Sequence, residues 1–299
     1  MSSSYLLRSR TRARAHAAVA ALLALALLAL TACGSSGNPR PRTIDSYVSL
    51  GDSYTAVAGD GPFTDTACHR SADNYPGLVA KALGITEATD VSCGGATSAD
   101  LTQDQVTQNP AATRAPQLAA VTKRTKLVTL GIGLNDYQLA YYLLYVCVPI
   151  NGITLPACGQ YLKLPDSSVE TYVSQMTAQV KQNLADVRKA APKARIILVG
   201  YPRVLADDAD CPAQLPMPAA ASARLRTALE LVDTEYAALA KKAKVDYVDM
   251  WKASKGHDVC SADPWVNGQA NLAGKALQFH PYKAYHQAVA KRIVALLKK

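Results

Sequence analysis

The chain has 299 residues, of which 49% are hydrophobic and 18% charged, with 32 Lys and Arg against 23 Asp and Glu. This composition excludes a disordered or fibrous protein, and the length suits one large domain or two small ones with a sizeable core. The formal net charge of +9 does not indicate nucleic-acid binding, because no basic motif occurs and four arginines lie in the N-terminal segment, at Arg8, Arg10, Arg12 and Arg14.

The first 32 residues have the features of an export signal. An arginine-rich stretch precedes the apolar run 17–30, which is too short to span a bilayer comfortably, and Leu30-Thr31-Ala32-Cys33 follows. These four residues resemble a bacterial lipoprotein cleavage site, which implies that Cys33 is lipidated and anchors the exported protein to the cell membrane. A plain secretory signal cleaved nearby is the alternative. In both cases we expect a flexible tether over 33–43 and a single domain over 44–299.

Six cysteines remain in the exported part when Cys33 is set aside, and they allow fifteen pairings. No CxxC spacing occurs, and cysteines adjacent in the sequence are at least 11 residues apart, which argues against a metal site. The sequence therefore predicts three structural disulfides in an oxidising compartment and no bound metal. The six are Cys68, Cys93, Cys147, Cys158, Cys211 and Cys260.

Strand-like runs alternate with longer helical patterns from residue 44 onward. Apolar and β-branched runs predict strands at 44–50, 90–93, 126–132, 195–200 and 245–250. Apolar spacing near 3.6 residues predicts helices at 75–83, 169–190, 219–242 and 284–297. This alternation predicts an α/β fold, a three-layer α/β/α sandwich with a central parallel sheet. The segments 137–165 and 251–281 interrupt the pattern as long loops.

Residues suited to catalysis follow the predicted strands, at the carboxyl ends where such sheets bind ligands. They form four blocks, which contain a serine, glycines, an asparagine and a histidine. These residue types supply a nucleophile, a backbone donor, a side-chain donor and a base, which are the groups that acyl transfer requires. The blocks are Gly51-Asp52-Ser53-Tyr54, Cys93-Gly94-Gly95-Ala96-Thr97, Gly131-Ile132-Gly133-Leu134-Asn135-Asp136 and Phe279-His280-Pro281.

In this order the four blocks resemble the SGNH (GDSL-type) hydrolase family, and the resemblance covers nearly the whole chain after the signal. It is closest to actinobacterial secreted esterases and lipases, which share a second block like Val91–Thr97, six cysteines and a segment like Asp263-Pro264-Trp265-Val266. The resemblance implies a flavodoxin-like strand order and a monomer that hydrolyses small-molecule or lipid esters without a cofactor. It also implies the pairing Cys68–Cys93, Cys147–Cys158 and Cys211–Cys260.

Carried over position by position, the resemblance implies roles for four residues. Ser53 becomes the nucleophile and His280 its general base. The Ser53 and Gly95 amides and the Asn135 side chain become the oxyanion hole, with Gly94 in place of Gly95 if the register slips by one residue.

Elimination among the five histidines supports the choice of His280. His16 lies in the signal, and no pair has the HExxH spacing of a metal site. The other three, His69, His257 and His286, lie outside the histidine block.

The histidine block lacks the aspartate of the family pattern. The usual DxxH block would place an aspartate three residues before the histidine, but this chain has Leu277 there. Some actinobacterial members use a main-chain carbonyl to accept from the histidine Nδ1–H. We therefore expect the Leu277 carbonyl to orient His280, with the Asp263 carboxylate as the alternative.

Substrate class stays open at this level. Carbohydrate O-acetyl esterases use the same kind of site, and a lipid-anchored solute-binding protein without catalysis would explain the Cys33 signal while leaving the four blocks to coincidence. A stretch rich in tyrosine and leucine either lines an acyl pocket or packs on the core, with Tyr137, Leu139, Tyr141, Tyr142, Leu143, Leu144 and Tyr145 as its members.

Overall fold

The structure is a computed structural model that describes residues 44–108, 110–149, 152–206, 211–270, 272 and 275–298. The predicted signal (1–32) and tether (33–43), with Cys33, lie outside the described residues. The described strands are β1 (Ser46–Gly51), β2 (Phe63–Asp65), β3 (Arg70–Ser71), β4 (Glu87–Asp90), β5 (Gln105–Gln108), β6 (Ala111–Arg114), β7 (Leu127–Gly131), β8 (Arg195–Val199) and β9 (Asp246–Val248).

The α-helices in the same part of the chain are α1 (Ser53–Ala56), α2 (Tyr75–Leu83), α3 (Pro156–Lys163), α4 (Ser167–Ala190), α5 (Ala219–Ala243), α6 (Met250–Ala253) and α7 (Lys283–Leu297). Short 3₁₀ turns occupy Ser98–Leu101, Gln117–Ala120 and Asp136–Gln138, and a π turn occupies Tyr141–Tyr145. None of the helices in the described ranges is long and apolar enough to cross a membrane.

Five parallel strands form the central sheet in the order β4-β1-β7-β8-β9. Counted along the chain, these strands have the order 2-1-3-4-5, so the predicted flavodoxin-like order is confirmed. Every residue of β7 is buried, as are all but the first of β1 and of β8. Strands buried along their length need helices on both faces, and the α/β sandwich is therefore the observed architecture.

Helices flank the sheet in packed pairs. Helix α4 packs against α5, and α2 packs against α7. The apolar face of α4 buries Val173, Met176, Val180, Leu184 and Val187, which recur at three- and four-residue intervals. This spacing is the signal from which the sequence predicted the helix.

Two strands end two or more residues before their predicted ends, next to aspartates that bind the following backbone. The second strand of the sheet covers 87–90 instead of 90–93. It ends at Asp90, whose Oδ1 accepts from the Ser92 amide at 3.0 Å and from the Ser92 hydroxyl at 2.7 Å. The last strand ends at Val248, because the Asp249 side chain caps α6 by accepting from the Lys252 amide at 2.7 Å.

Three disulfides close the irregular segments of the described chain. The pairs are Cys68–Cys93, Cys147–Cys158 and Cys211–Cys260, and the pairing implied by the family resemblance is confirmed. The second pair closes the long segment 137–165, and the third joins the loop after β8 to the segment 251–281. Each cross-link restricts the unfolded chain and contributes about 2–4 kcal/mol to the free energy of unfolding.

Candidate active site

Ser53 lies where β1 meets the short helix α1. The Asp52 side chain caps this helix by accepting from the Tyr54 amide at 2.9 Å, and the Asp52 amide donates to the Gly131 carbonyl at 3.0 Å. The amide of Ser53 itself has no protein partner within the described residues. A first-turn N–H of a helix is normally left unpaired by the helix itself, so this amide is available to a ligand.

The second block forms a tight turn beside Ser53. The Gly94 amide donates to the Cys68 carbonyl at 2.8 Å, whereas the Gly95 amide has no protein partner in the described part of the chain. Gly95 has φ +74°, a conformation that a side chain would oppose. Since the Gly94 amide is occupied, the turn offers the Gly95 amide to a ligand.

Asn135 lies near the end of the third block, and one N–H of its side-chain amide is held by the protein. Its Nδ2 donates to the Ala96 carbonyl at 2.9 Å, which leaves the second N–H of the amide for another acceptor. The next residue, Asp136, accepts from the Ser98 amide at 2.7 Å and from the Ser98 hydroxyl at 2.5 Å. Asp136 thereby holds the third block to Ser98, the residue that follows the second block.

The buried carboxyl groups of Asp52 and Asp136 bind the loops that carry Ser53 and Asn135. Asp52 is 1% exposed, and burial raises its pKa to about 7 although the Tyr201 hydroxyl and the Tyr54 amide donate to it. Burial also raises the pKa of Asp136, against the opposing effect of Ser98. Both carboxyls are engaged with loop groups, as a structural role requires.

Two cavities meet at Ser53, Gly95 and His280. The smaller, of about 180 Å³, is also lined by Asn135 and has an apolar wall that includes Leu134, Ala140, Leu144, Tyr145 and Phe279. The larger, of about 400 Å³, has a mixed wall, in which the polar side chains of His69, Gln105 and Thr107 stand beside the apolar side chains of Val57, Val106 and Leu277. The structure thus brings all four predicted residues to one cavity. No hydrogen bond joins the Ser53 hydroxyl to the His280 ring among these described residues.

The tyrosine- and leucine-rich stretch is divided between its two predicted roles. Leu144 and Tyr145 line the smaller cavity, whereas Leu139 and Leu143 are buried in the core. The remaining members lie elsewhere, with Tyr137 and Tyr141 exposed and Tyr142 stacked on Tyr161.

The Gln278 carbonyl orients His280, at 2.6 Å from His280 Nδ1. The prediction of the Leu277 carbonyl is therefore wrong by one residue. The Leu277 carbonyl is occupied, because it accepts from the backbone amide of His280 at 3.2 Å and from Nδ2 of Asn267 at 2.9 Å. Since a carbonyl only accepts, Nδ1 carries the proton and Nε2 is free to accept one.

The alternative of Asp263 is also wrong. Its carbonyl lies 2.8 Å from His257 Nδ1, and its carboxylate lies 3.3 Å from the same nitrogen. The His257 ring stacks on Trp265 with centroids 4.1 Å apart. Asp263 therefore contacts His257 and not His280.

His286, the histidine nearest to His280 in the sequence, is a packing residue. It is fully buried, its Nδ1 accepts from the Tyr75 amide at 3.1 Å and its Nε2 donates to the Val57 carbonyl at 2.7 Å. Burial lowers the pKa of His286 to about 4. Across the described ranges, no group of three or more His, Cys, Asp or Glu side chains is placed to hold a metal ion.

Sequence reasoning missed several residues of the site. Gln278 acts through its main chain, so its side-chain type carries no signal. Tyr201 follows β8, and its hydroxyl donates to Asp52 and accepts from the Leu134 amide, a bridge that only the packed structure reveals. His69 lines the larger cavity with φ +49°, an unusual conformation for a residue with a side chain. The available sequence signal was its position directly after Cys68, whose implied disulfide partner Cys93 belongs to the second block.

A parallel α/β sheet with a serine, a histidine and unpaired amide donors around one cavity is an arrangement suited to acyl transfer. The chain matches the GDSL-like lipase/acylhydrolase family over residues 49–288. It is 36% identical to Lipase 2 of Streptomyces coelicolor over 230 residues, which are 74% of each chain. The chain therefore belongs to the GDSL-like lipase/acylhydrolase family, and it is a carboxylic ester hydrolase.

Solved structures share the fold of this chain. Phospholipase A1 from Streptomyces albidoflavus is similar with a TM-score of 0.68 and 25% identity, over 85% of this chain and 99% of that chain. An extracellular lipase from Streptomyces rimosus has the same fold, with a TM-score of 0.67 and 24% identity over 84% of this chain and 99% of that chain.

The environment of His280 predicts a low titration midpoint. Burial lowers its pKa below the ordinary value of 6.5, and electrostatic repulsion by the nearby His69 ring adds to this effect, while the Gln278 carbonyl opposes it. We expect the midpoint of the His280 titration to lie below 6.5, as followed by NMR of the imidazole Cε1–H. The His280→Asn variant identifies the signal by its loss. A midpoint at or above 6.5 would contradict the prediction.

Proposed function

We propose that this chain is an exported serine esterase or lipase that forms an acyl-enzyme on Ser53, with His280 as the general base. The observation that carries the proposal is the cavity at which Ser53, Gly95, Asn135 and His280 meet. Within the described residues, the Ser53 and Gly95 amides and one N–H of the Asn135 side chain have no protein partner, and all three residues line this cavity. The oxyanion of an ester-cleaving reaction requires such donors.

The reaction follows from these positions. As the substrate enters, the Ser53 hydroxyl and the His280 ring come within hydrogen-bonding distance, as catalytic groups commonly do only in the substrate complex. Ser53 Oγ attacks the carbonyl carbon, and its proton passes to His280 Nε2. The negative oxygen that forms is held by the Ser53 and Gly95 amides and by Asn135 Nδ2. His280 then gives the proton to the departing alcohol oxygen, and water releases the acid by the same steps.

The two cavities offer room for the two parts of an ester on either side of Ser53. The smaller cavity presents Leu134, Leu144, Tyr145 and Phe279, so it suits the hydrocarbon part of the acyl group. The larger cavity combines polar side chains such as Gln105 and Thr107 with apolar ones such as Val106, so it suits an alcohol part that carries both polar and apolar groups. A lipid ester is the substrate class favoured by the names of the relatives. An acetylated sugar would leave most of the apolar wall unused.

Export is supported by three disulfides, which persist in oxidising compartments. The extracellular lipase among the similar structures points the same way. The Leu30-Thr31-Ala32-Cys33 sequence adds a lipid anchor on the outer side of the cell membrane to the proposal.

Labelling at Ser53 tests the nucleophile. We expect the wild-type protein to react with a fluorophosphonate at Ser53 and to hydrolyse p-nitrophenyl esters. The Ser53→Ala variant should lose both properties while its melting temperature stays the same, because its Cβ keeps the helix start intact. Peptide mapping that finds the label on another residue would refute the assignment.

Substitution of Asn135 tests the oxyanion hole. The Asn135→Ala variant removes the only side-chain donor proposed there, and loss of one such donor typically lowers kcat about 10²–10³-fold. We expect that loss with KM little changed, since the donor acts on the charge that develops during the reaction. A decrease of kcat under about fivefold would show that Asn135 serves only the Ala96 contact.

The intact mass of the mature protein and its fractionation between membranes and medium test the lipid anchor. We expect Cys33 to carry lipid and the protein to fractionate with membranes in a bacterial host, since buried acyl chains add about 0.8 kcal/mol of membrane affinity per CH₂. The Cys33→Ala variant should appear in the medium. An intact mass with an unmodified Cys33 thiol, or cleavage at another residue, would rule the anchor out.

A further inference from the structure

The carbonyl that orients His280 depends on an unusual turn. Leu277 to His280 form a four-residue turn closed by the His280 amide and the Leu277 carbonyl at 3.2 Å. Phe279, the third residue, has φ +55°. A positive φ at that position marks a type II turn, whose central peptide is flipped relative to type I. That flip sets the direction of the Gln278 carbonyl, so the His280 contact requires Phe279 to stay in its left-handed conformation.

Phenylalanine is a poor residue for this conformation, which favours glycine or asparagine. Backbone strain of this kind persists only where the surroundings impose it. The Phe279 ring is fully buried and meets Tyr145 edge-on with centroids 4.9 Å apart. Its amide donates to the Gly268 carbonyl at 3.0 Å. Its carbonyl accepts from the Tyr54 hydroxyl at 2.9 Å, which fixes the peptide between Phe279 and His280.

Tyr54 is also fixed at its other end. Its amide donates to Asp52 at 2.9 Å, so its backbone belongs to the turn that holds Ser53. Its ring is buried against Tyr201 and Tyr285, with centroids 5.4 and 6.3 Å away, and lies 6.2 Å from the His280 ring. The rigid side chain of Tyr54 therefore connects the turn that holds Ser53 to the turn 277–280 that holds His280.

We propose that Tyr54 is a positioning residue for His280: its hydroxyl holds the Phe279 peptide in the flipped turn, and this keeps the Gln278 carbonyl on His280 Nδ1. The proposal rests on the proposed function, in which His280 is the base. It assigns to a tyrosine next to the nucleophile the orienting task that an aspartate performs in a catalytic triad. Tyr54 does not touch the reacting atoms and is not a catalytic residue.

The Tyr54→Phe variant removes one oxygen atom and keeps the ring. We expect kcat for p-nitrophenyl butyrate to fall about 3- to 10-fold, the effect of one neutral hydrogen bond, with KM nearly unchanged. The Gln278 carbonyl raises the pKa of His280, so loosening that contact should also move the acid limb of the kcat/KM profile to lower pH. The other ionisable groups near the two cavities, Asp52, His69 and Tyr145, are unaltered in this variant.

The matched control is Tyr47→Phe. Tyr47 is a buried tyrosine whose hydroxyl is 2.8 Å from the Thr129 hydroxyl, away from residues 277–280. Its loss should lower the melting temperature without moving the acid limb. An unchanged kcat in Tyr54→Phe, or a lowered kcat with the acid limb of wild type, would overturn the proposal. The His280→Ala variant in the same assay distinguishes failure of this proposal from failure of the proposed function. Full activity in that variant would refute the proposed function.

A second pair of variants keeps the test valid if Tyr54→Phe fails to fold. Phe279→Gly and Phe279→Ala remove the same ring, but glycine accepts the positive φ and alanine opposes it. Per folded molecule, the glycine variant should have a kcat several-fold above that of the alanine variant. Equal values would show that the left-handed conformation does not matter to His280 and would overturn the proposal.

Discussion

Burial of the Asp52 carboxyl is the constraint around which this site is organised. A carboxyl group withdrawn from water costs several kcal/mol unless donors replace the water. Here the donors are the Tyr54 amide and the Tyr201 hydroxyl. Tyr201 in turn accepts from the Leu134 amide at 3.0 Å. One buried group therefore ties together the loops that follow three neighbouring strands, β1, β7 and β8.

The same arrangement explains which amides remain free. Within the turn at Ser53 the Asp52 and Tyr54 amides are occupied, and in the second block the Gly94 and Ala96 amides are occupied. The Ser53 and Gly95 amides have no partner among the described residues, and both residues line the cavity. A donor that is held rigidly and has no other partner need not break a hydrogen bond or reorient when negative charge develops beside it. Preorganised donors of this kind stabilise a developing oxyanion effectively for this reason.

The histidine is held without a carboxylate. A backbone carbonyl contributes only a dipole, so it stabilises a protonated ring less than a buried carboxylate would. Burial lowers the pKa of His280 further, and both effects keep the ring neutral and ready to accept a proton near neutral pH. Orientation must then come from the rigidity of the turn, which is enforced by a buried phenylalanine and the tyrosine hydroxyl that holds its carbonyl.

The sequence by itself determined the fold class, the strand order through the family resemblance, and four of the residues that line the cavity. Strands such as Leu127–Gly131 and helices such as Ser167–Ala190 can be predicted from local sequence. Burial requires an apolar run in such a strand and apolar residues at a spacing near 3.6 in such a helix. Ser53, Asn135 and His280 are marked by side-chain type.

The tertiary structure alone decided that Gln278, and neither Leu277 nor Asp263, orients His280. It also decided that the Gly95 amide is free where the Gly94 amide is not. Both outcomes depend on main-chain groups, which are identical in every residue, and on partners as distant in sequence as Cys68 is from Gly94 and Tyr54 from Phe279. A sequence pattern carries no record of which backbone donor or acceptor is left over, because that is settled only when the loops pack against one another.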